Sequence, residues 1–393
     1  MTAPPRPGAR HTASDLGALV RDPGTRVVLC CGSGGVGKTT TSAALALHAA
    51  EAGRRVVVLT IDPARRLAQS LGLSELDDRP RTVAGIDEAA GGRLDAMMLD
   101  MKRTFDEVVV AHATPEAAEQ ILANPFYQSV SSSFAGTQEY MAMEKLGQLR
   151  TQAERDGTWD LIVVDTPPSR SALDFLDAPE RLGSFLDGRL VRLLTAPARL
   201  GGRVGVRALG GGMALVSGVL SKVLGTQLLG DVQTFVAALD STFGGFRERA
   251  EQTYARLSEP GTAFVVVATP EMTALREADY FLRRLRSEGM PAAALVLNRL
   301  VRPATGTLGA RGAEGAAERL TGGGQDARAA RAAGALLRVG AASDRVAERH
   351  AQVLAELRAS RPELLISVAA AEATDVHDLA GLRRVAASLG VSG

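Results

Sequence analysis

Arg26 to Thr41 reads RVVLCCGSGGVGKTTT, and how this stretch is parsed decides the fold. An apolar run, Val27 to Cys31, breaks into glycines and then enters an Ala/Leu-rich helical pattern from Thr39 to Ala52. The order strand, Gly-rich loop, helix is the context a phosphate-binding loop needs. The spacing GxxxxGK[ST] is complete, with Gly32, Gly37, Lys38 and Thr39 in register. Glycines let consecutive backbone N–H groups turn inward around phosphate oxygens. Gly34, Gly35, Val36, Gly37, Lys38, Thr39 and Thr40 are therefore the expected nucleotide-binding residues. Lys38 supplies a point charge for the β- and γ-phosphates, and the Thr39 hydroxyl offers a ligand to Mg2+. A Gly-rich strand-to-helix turn with a chance Lys-Thr pair is the plain alternative, and the matching flanks argue against it.

Outward from the loop, several runs read as strands buried on both faces: Arg55 to Asp62 (RVVVLTID), Trp159 to Thr166 (WDLIVVDT), Thr262 to Thr269 (TAFVVVAT) and Ala293 to Arg299 (AALVLNR). Leu94 to Asp100 and Leu364 to Ala370 are further candidates, and helical patterns separate them. Alternation of this kind predicts an α/β fold, a doubly wound and mainly parallel sheet with an inserted helical subdomain. The expected organisation is a disordered arm over residues 1–13 and a P-loop domain over 14–393. Helical insertions are expected at about 101–156 and 179–257, with breaks in the first near Asn124-Pro125 and at Gly136. The Ala/Gly/Arg-rich tract at about 302–340 reads either as a flexible loop, disordered at its start, or as a marginal helical insertion.

Composition narrows the class. A chain of 393 residues with net charge +1 leaves polyanion binding without a basis, so no nucleic acid is expected. Its two cysteines, Cys30 and Cys31, are adjacent on one strand and point to opposite faces, which suits core residues rather than a disulfide. A reducing, cytoplasmic location is the expectation. The first residues, MTAPPRPGARHTAS, have no apolar h-region. The window Ala208 to Gly230 is long enough to span a bilayer, but its glycines and Lys222 argue against stable insertion.

TIDPARRLAQSLG (Thr60 to Gly72), AGTQEYMAMEKL (Ala135 to Leu146), DLIVVDTPPS (Asp160 to Ser169) and LVLNR (Leu295 to Arg299) together resemble one family. It is the ArsA/GET-type ATPases, which includes the arsenical-pump ATPase and the ATPase delivering tail-anchored membrane proteins. The resemblance implies a dimeric ATPase using ATP and Mg2+. By position it makes Asp62 the switch aspartate that orients the attacking water, beside Lys38 in the catalytic pair. It puts Asp165 with Thr39 on Mg2+, and it makes Asn298 the adenine reader. Each has a plainer reading: Asp62 as a helix cap before Pro63, Asp165 as a turn former, Asn298 as a turn residue.

The departures from the family pattern are informative. Members of the wider group usually carry a lysine where this chain has Ser33, and that lysine reaches a partner's phosphates. Either this subunit contributes little to a partner's site, or another cation such as Arg65, Arg66 or Arg170 stands in, or the partner is a homologue that keeps the lysine, so homo- and heterodimer both stand. TPPSRSA replaces the family's TAPTGHT, with Arg170 and Ser171 in place of Gly and His. No CxxC pair or cysteine triad is present, and five scattered histidines suggest no structural metal. The resemblance also implies an apolar client such as a membrane-protein segment. Met213, Leu215, Val216, Val219, Leu220, Val223, Leu224, Leu228 and Leu229 either line its groove or pack the helical subdomain. A final helix, Val376 to Leu389, has an apolar face beside Arg383 and Arg384. It suits packing on the sheet, with a reversible membrane contact as the rival.

Overall fold

The computed structural model describes residues 15–62, 66–130, 137–166, 251–321 and 327–390. They fall into two compact units. One holds the described residues through Met97, those from Gly157 to Thr166, and those from Ser258 on; the other holds Met98–Asp156 and 251–257. The expected arm at 1–13, the tract 179–250 with its client-facing candidates, Arg65 and Arg170 lie outside the described residues.

The first unit is built on a sheet of eight strands among the described residues: β1 (Val27–Cys31), β2 (Arg55–Thr60), β3 (Arg81–Thr82), β4 (Arg93–Met98), β5 (Leu161–Asp165), β6 (Thr262–Ala268), β7 (Ala292–Leu300) and β8 (Leu365–Ala370). Their order is β3-β4-β2-β5-β1-β6-β7-β8. The pairs β2/β5, β5/β1, β1/β6, β6/β7 and β7/β8 are parallel, and β3/β4 is antiparallel. Every residue of β1, β5 and β6 is buried. Their near-continuous apolar runs follow from a sheet covered on both faces. Because β1 lies between β5 and β6, chain order reverses there, and ligands of open α/β sheets bind at such a switch point, outside the carboxyl ends of the strands.

Helix α1 (Leu16–Arg21) starts at the Asp15 cap and packs on α2 (Lys38–Glu51). Ala43 to Leu47, Ala49 and Ala50 are all buried, so α2 is enclosed nearly all round. A short α3 (Arg66–Ser70) follows β2. Arg54 ties the start of β2 to three residues, donating to the carbonyls of Val20 and Asp22 at 2.9 Å and to the Asp160 carboxylate at 3.0 Å. Edge strand β3 escapes sequence reading because two polar residues carry no period. What holds it is Asp95, fully buried, which accepts from Thr82 at 2.7 Å and from the Trp159 indole at 2.8 Å.

In the second unit the first expected insertion is helical. Asp100 caps α4 (Met101–His112), Thr114 caps α5 (Pro115–Ala123), and α6 (Pro125–Val130) and α7 (Thr137–Asp156) follow. Beyond the expected break at Asn124-Pro125 there is one at Ala113, where Thr114-Pro115 supplies a cap and an N1 proline. Tyr127 packs edge-on to Phe105 and donates to Asp106.

Back in the first unit, α8 (Met272–Ser287) joins β6 to β7. In the tract after β7 the second of the two sequence readings, the helical insertion, is the one the described residues adopt. Its described residues are not a disordered loop but a helical pair, α9 (Gly309–Thr321) and α10 (Ala327–Ser360), entered by a 3-10 turn at Gly306–Leu308. Alanine and arginine are strong helix formers. The buried Ala310, Ala313 and Ala317 form one face of α9, against which α10 packs closely. Asp344 fastens α10 to the strand exit by accepting from the Ala304 and Thr305 backbone N–H groups and the Thr305 hydroxyl. Last, α11 (Leu379–Ser388) buries Leu382, Val385 and Ala386, packs on α2 and β8, and pairs Arg383 with Glu51 at 2.6 Å. The apolar face weighed above as a membrane contact is thus spent on packing.

Candidate nucleotide site

The loop leaves β1 at Gly32 with φ 151°, where a Cβ would lie 2.1 Å from the Val267 carbonyl oxygen. Only glycine fits so close to a neighbouring strand. Gly35 (φ 76°) and Gly37 (φ 95°) are left-handed, which wraps the backbone around the N-terminus of α2. Gly37 gives that 14-residue helix no side-chain cap, so its first N–H groups are available to an anion. Lys38 opens the helix and is only 6 % exposed, and its Nζ donates to the Ser33 carbonyl at 2.9 Å. Burial pulls the Lys38 pKa down, and Asp165 opposes that pull.

Register brings the carboxyl ends of three strands together, with Asp165 beside both Cys30 and Thr60. Asp165 is fully buried. Its Oδ2 accepts from Thr39 at 2.7 Å and from Thr60 at 3.0 Å, while its Oδ1 has no hydrogen-bond partner. Burial pushes its carboxyl up from 3.8 to about 6, against the two hydroxyl donors and Lys38. A buried carboxylate oxygen left without a donor, next to a threonine whose lone pairs stay free because it donates, is a hard-oxygen set suited to Mg2+. Asp62, half-buried just past β2, donates its backbone N–H to the Thr60 hydroxyl at 3.2 Å.

Sequence reasoning missed Thr60, which joins Asp62 to Asp165; its signal is a hydroxyl ending an apolar strand. Asn298 does reach the loop, but its Nδ2 donates to the Val36 carbonyl at 2.8 Å and its Oδ1 accepts from the Arg299 N–H at 2.8 Å. Thr40 sits half-buried on the first turn of α2, and Arg66 is exposed at the start of α3. Cys30 and Cys31 are free and buried, and burial drives both thiols up, Cys31 to about 12, which removes them as nucleophiles. No helix among the described residues is long and apolar enough to cross a membrane; the window at 208–230 lies outside them.

A parallel sheet whose first strand feeds a glycine loop, an N-terminal lysine and a threonine-bound aspartate defines a P-loop nucleoside-triphosphatase fold. Comparison narrows it. A profile of the anion-transporting ATPase (ArsA ATPase) family matches residues 25–307, and the chain belongs to that family. It is 28 % identical to ATPase GET3 of Podospora anserina over 284 residues, 72 % of this chain and 75 % of the relative. It is 29 % identical to ATPase ARSA2 of Chlamydomonas reinhardtii over 279 residues, 69 % of this chain and 67 % of the relative. Identity to that alga's ATPase ARSA1 is 27 % over 305 residues, 72 % of this chain but 36 % of the longer relative.

Proposed function

We propose that the chain is a Mg2+-dependent, dimeric ATPase that cleaves the β–γ phosphoanhydride of ATP with water, giving ADP and phosphate. The observation that carries this is the convergence of Thr39 and Thr60 on buried Asp165, whose Oδ1 is left without a hydrogen-bond partner and whose charge Lys38 favours. Loop N–H groups from Gly34 to Thr40 hold the phosphate chain, and Lys38 adds a charge where negative charge gathers. Thr39 and Asp165 would hold Mg2+, and the ion would supply positive charge to the phosphate chain. Asp62, placed by the Thr60 hydroxyl, orients the water for in-line attack. Phosphoryl transfer asks little more than positioning and charge stabilisation, and these residues supply both.

The reading extends to coupling: nucleotide state opens and closes the helical insertions, which take an apolar client in the cytoplasm. Membership of a family with GET3-named relatives supports it. A second reading rests on Ser33. Its carbonyl is engaged by Lys38 and its side chain carries no charge, so the chain would hydrolyse weakly alone and serve a heterodimer with a lysine-bearing homologue.

Asp62→Asn tests the mechanism. We expect kcat to fall by about 100-fold or more while ATP affinity is kept, as for loss of a group acting only on the reacting water. An unchanged rate would remove Asp62 from the chemistry.

A further inference from the structure

At the end of β7 the backbone does something unusual. Arg299 has φ 60°, and it alone among the described residues other than glycine has positive φ. Pairing with β8 slips there: Leu297 faces Val368 and Leu300 faces Ala370, so β7 carries one residue more than its partner. That is a β-bulge, a device that re-aims a side chain, and strain held at such a place points to a task.

The side chain re-aimed is that of Asn298. Its Oδ1 accepts the Arg299 N–H and thereby fixes the amide plane. Its Nδ2 then donates to the Val36 carbonyl, in the middle of the phosphate loop. The contact is built from both sides, since a Cβ on Gly37 would lie 2.1 Å from that Nδ2, so the absent side chain leaves room for the amide. The Val36 carbonyl belongs to the peptide whose N–H is that of Gly37. Holding the oxygen toward Asn298 turns that N–H the other way, toward the phosphate side of the loop. We infer that Asn298 is a positioning residue that orients the Val36–Gly37 peptide of the phosphate loop, and that this role, rather than recognition of the base, dominates its contribution to nucleotide binding. The inference rests on the nucleotide-site reading above.

A probe without a base separates the two roles. Binding of ATP and of inorganic tripolyphosphate, each with Mg2+, is measured by calorimetry on the full wild-type chain and on Asn298→Ala. One neutral hydrogen bond lost from the loop should weaken both ligands by the same factor, about two- to tenfold. ATP turnover reads the same difference: a misdirected loop N–H lowers kcat as well as raising KM, whereas a lost base contact raises KM alone. Asn298→Asp is the second variant, should the alanine form not fold. It keeps the acceptor for Arg299 but sets a carboxylate against the Val36 carbonyl, and it should lose at least as much on both ligands. Loss confined to ATP, or no loss on either ligand, overturns the inference while leaving the nucleotide site intact. Wild-type protein that binds ATP but not tripolyphosphate makes the base the dominant contact and overturns the inference alone, whereas wild-type protein that binds neither overturns the site reading as well.

Discussion

Asp165 is the residue on which the site and the stability of the fold pull in opposite directions. Burial raises its carboxyl from 3.8 to about 6, so the folded chain holds that proton more tightly than the unfolded chain does. The sign follows: Asp165 favours folding below pH 3.8, and that contribution is lost as pH rises through about 6. At neutral pH the metal-free protein carries a buried, ionised carboxylate with one oxygen unpartnered. Asn at this position keeps an oxygen for Thr39 and Thr60 and has no charge to bury. In chelator, Asp165→Asn should therefore gain stability relative to wild type between about pH 4 and pH 8, on the order of 3 kcal/mol. Denaturant midpoints across that range check it, and parallel pH profiles would contradict it. The same variant should lose the Mg2+ dependence of ATP binding.

At the scale of elements, the pair α9 and α10 is where composition leaves two readings open. Its buried alanines recur at helical spacing, but so many other alanines and glycines surround them that the period does not stand out, and Ala313 is fully buried on the face of α9 that meets α10. Leucine is nearly as good a helix former as alanine, so propensity alone foresees no cost for Ala313→Leu. Overpacking a close helix pair costs about 1–3 kcal/mol, and we expect that loss in a denaturant titration, together with faster proteolysis within 309–360. A neutral result would mean that the two helices are not closely packed there. The contrast explains what was legible. Strands β1, β2, β5, β6 and β7 announce themselves because burial on both faces demands unbroken apolar runs. The phosphate loop does so because its glycines and lysine are contiguous. Thr60, edge strand β3 and the amide of Asn298 do not, because each depends on a partner far along the chain: Asp165, Asp95 and Val36 respectively.

At the scale of the whole molecule, the charge around the transferred phosphoryl group depends on what faces the loop. Parallel register sets Lys38, Thr39, Asp62, Asp165 and Asn298 along one edge of the sheet. The loop itself offers Gly34 and Gly35, both exposed, and Ser33, half-buried, to whatever faces it. Ser33 is absent from the residues with positive φ, and Lys38 uses only its backbone carbonyl, so a longer side chain is tolerated there. A cation donated across an interface is worth about three to five orders of magnitude in phosphoryl transfer. If two copies of this chain meet loop to loop, Ser33→Lys places such a cation in each other's site. Turnover per chain should then rise by at least about tenfold, and it should rise with protein concentration as dimers form. The measurement is steady-state ATP hydrolysis by wild type and variant over a concentration series, with folding checked by thermal unfolding. A variant no faster than wild type means that this loop does not face its own copy. If wild type is at the same time accelerated by a homologue bearing the lysine, the heterodimer takes the place of the homodimer, because only in that assembly does the missing charge arrive from outside the chain.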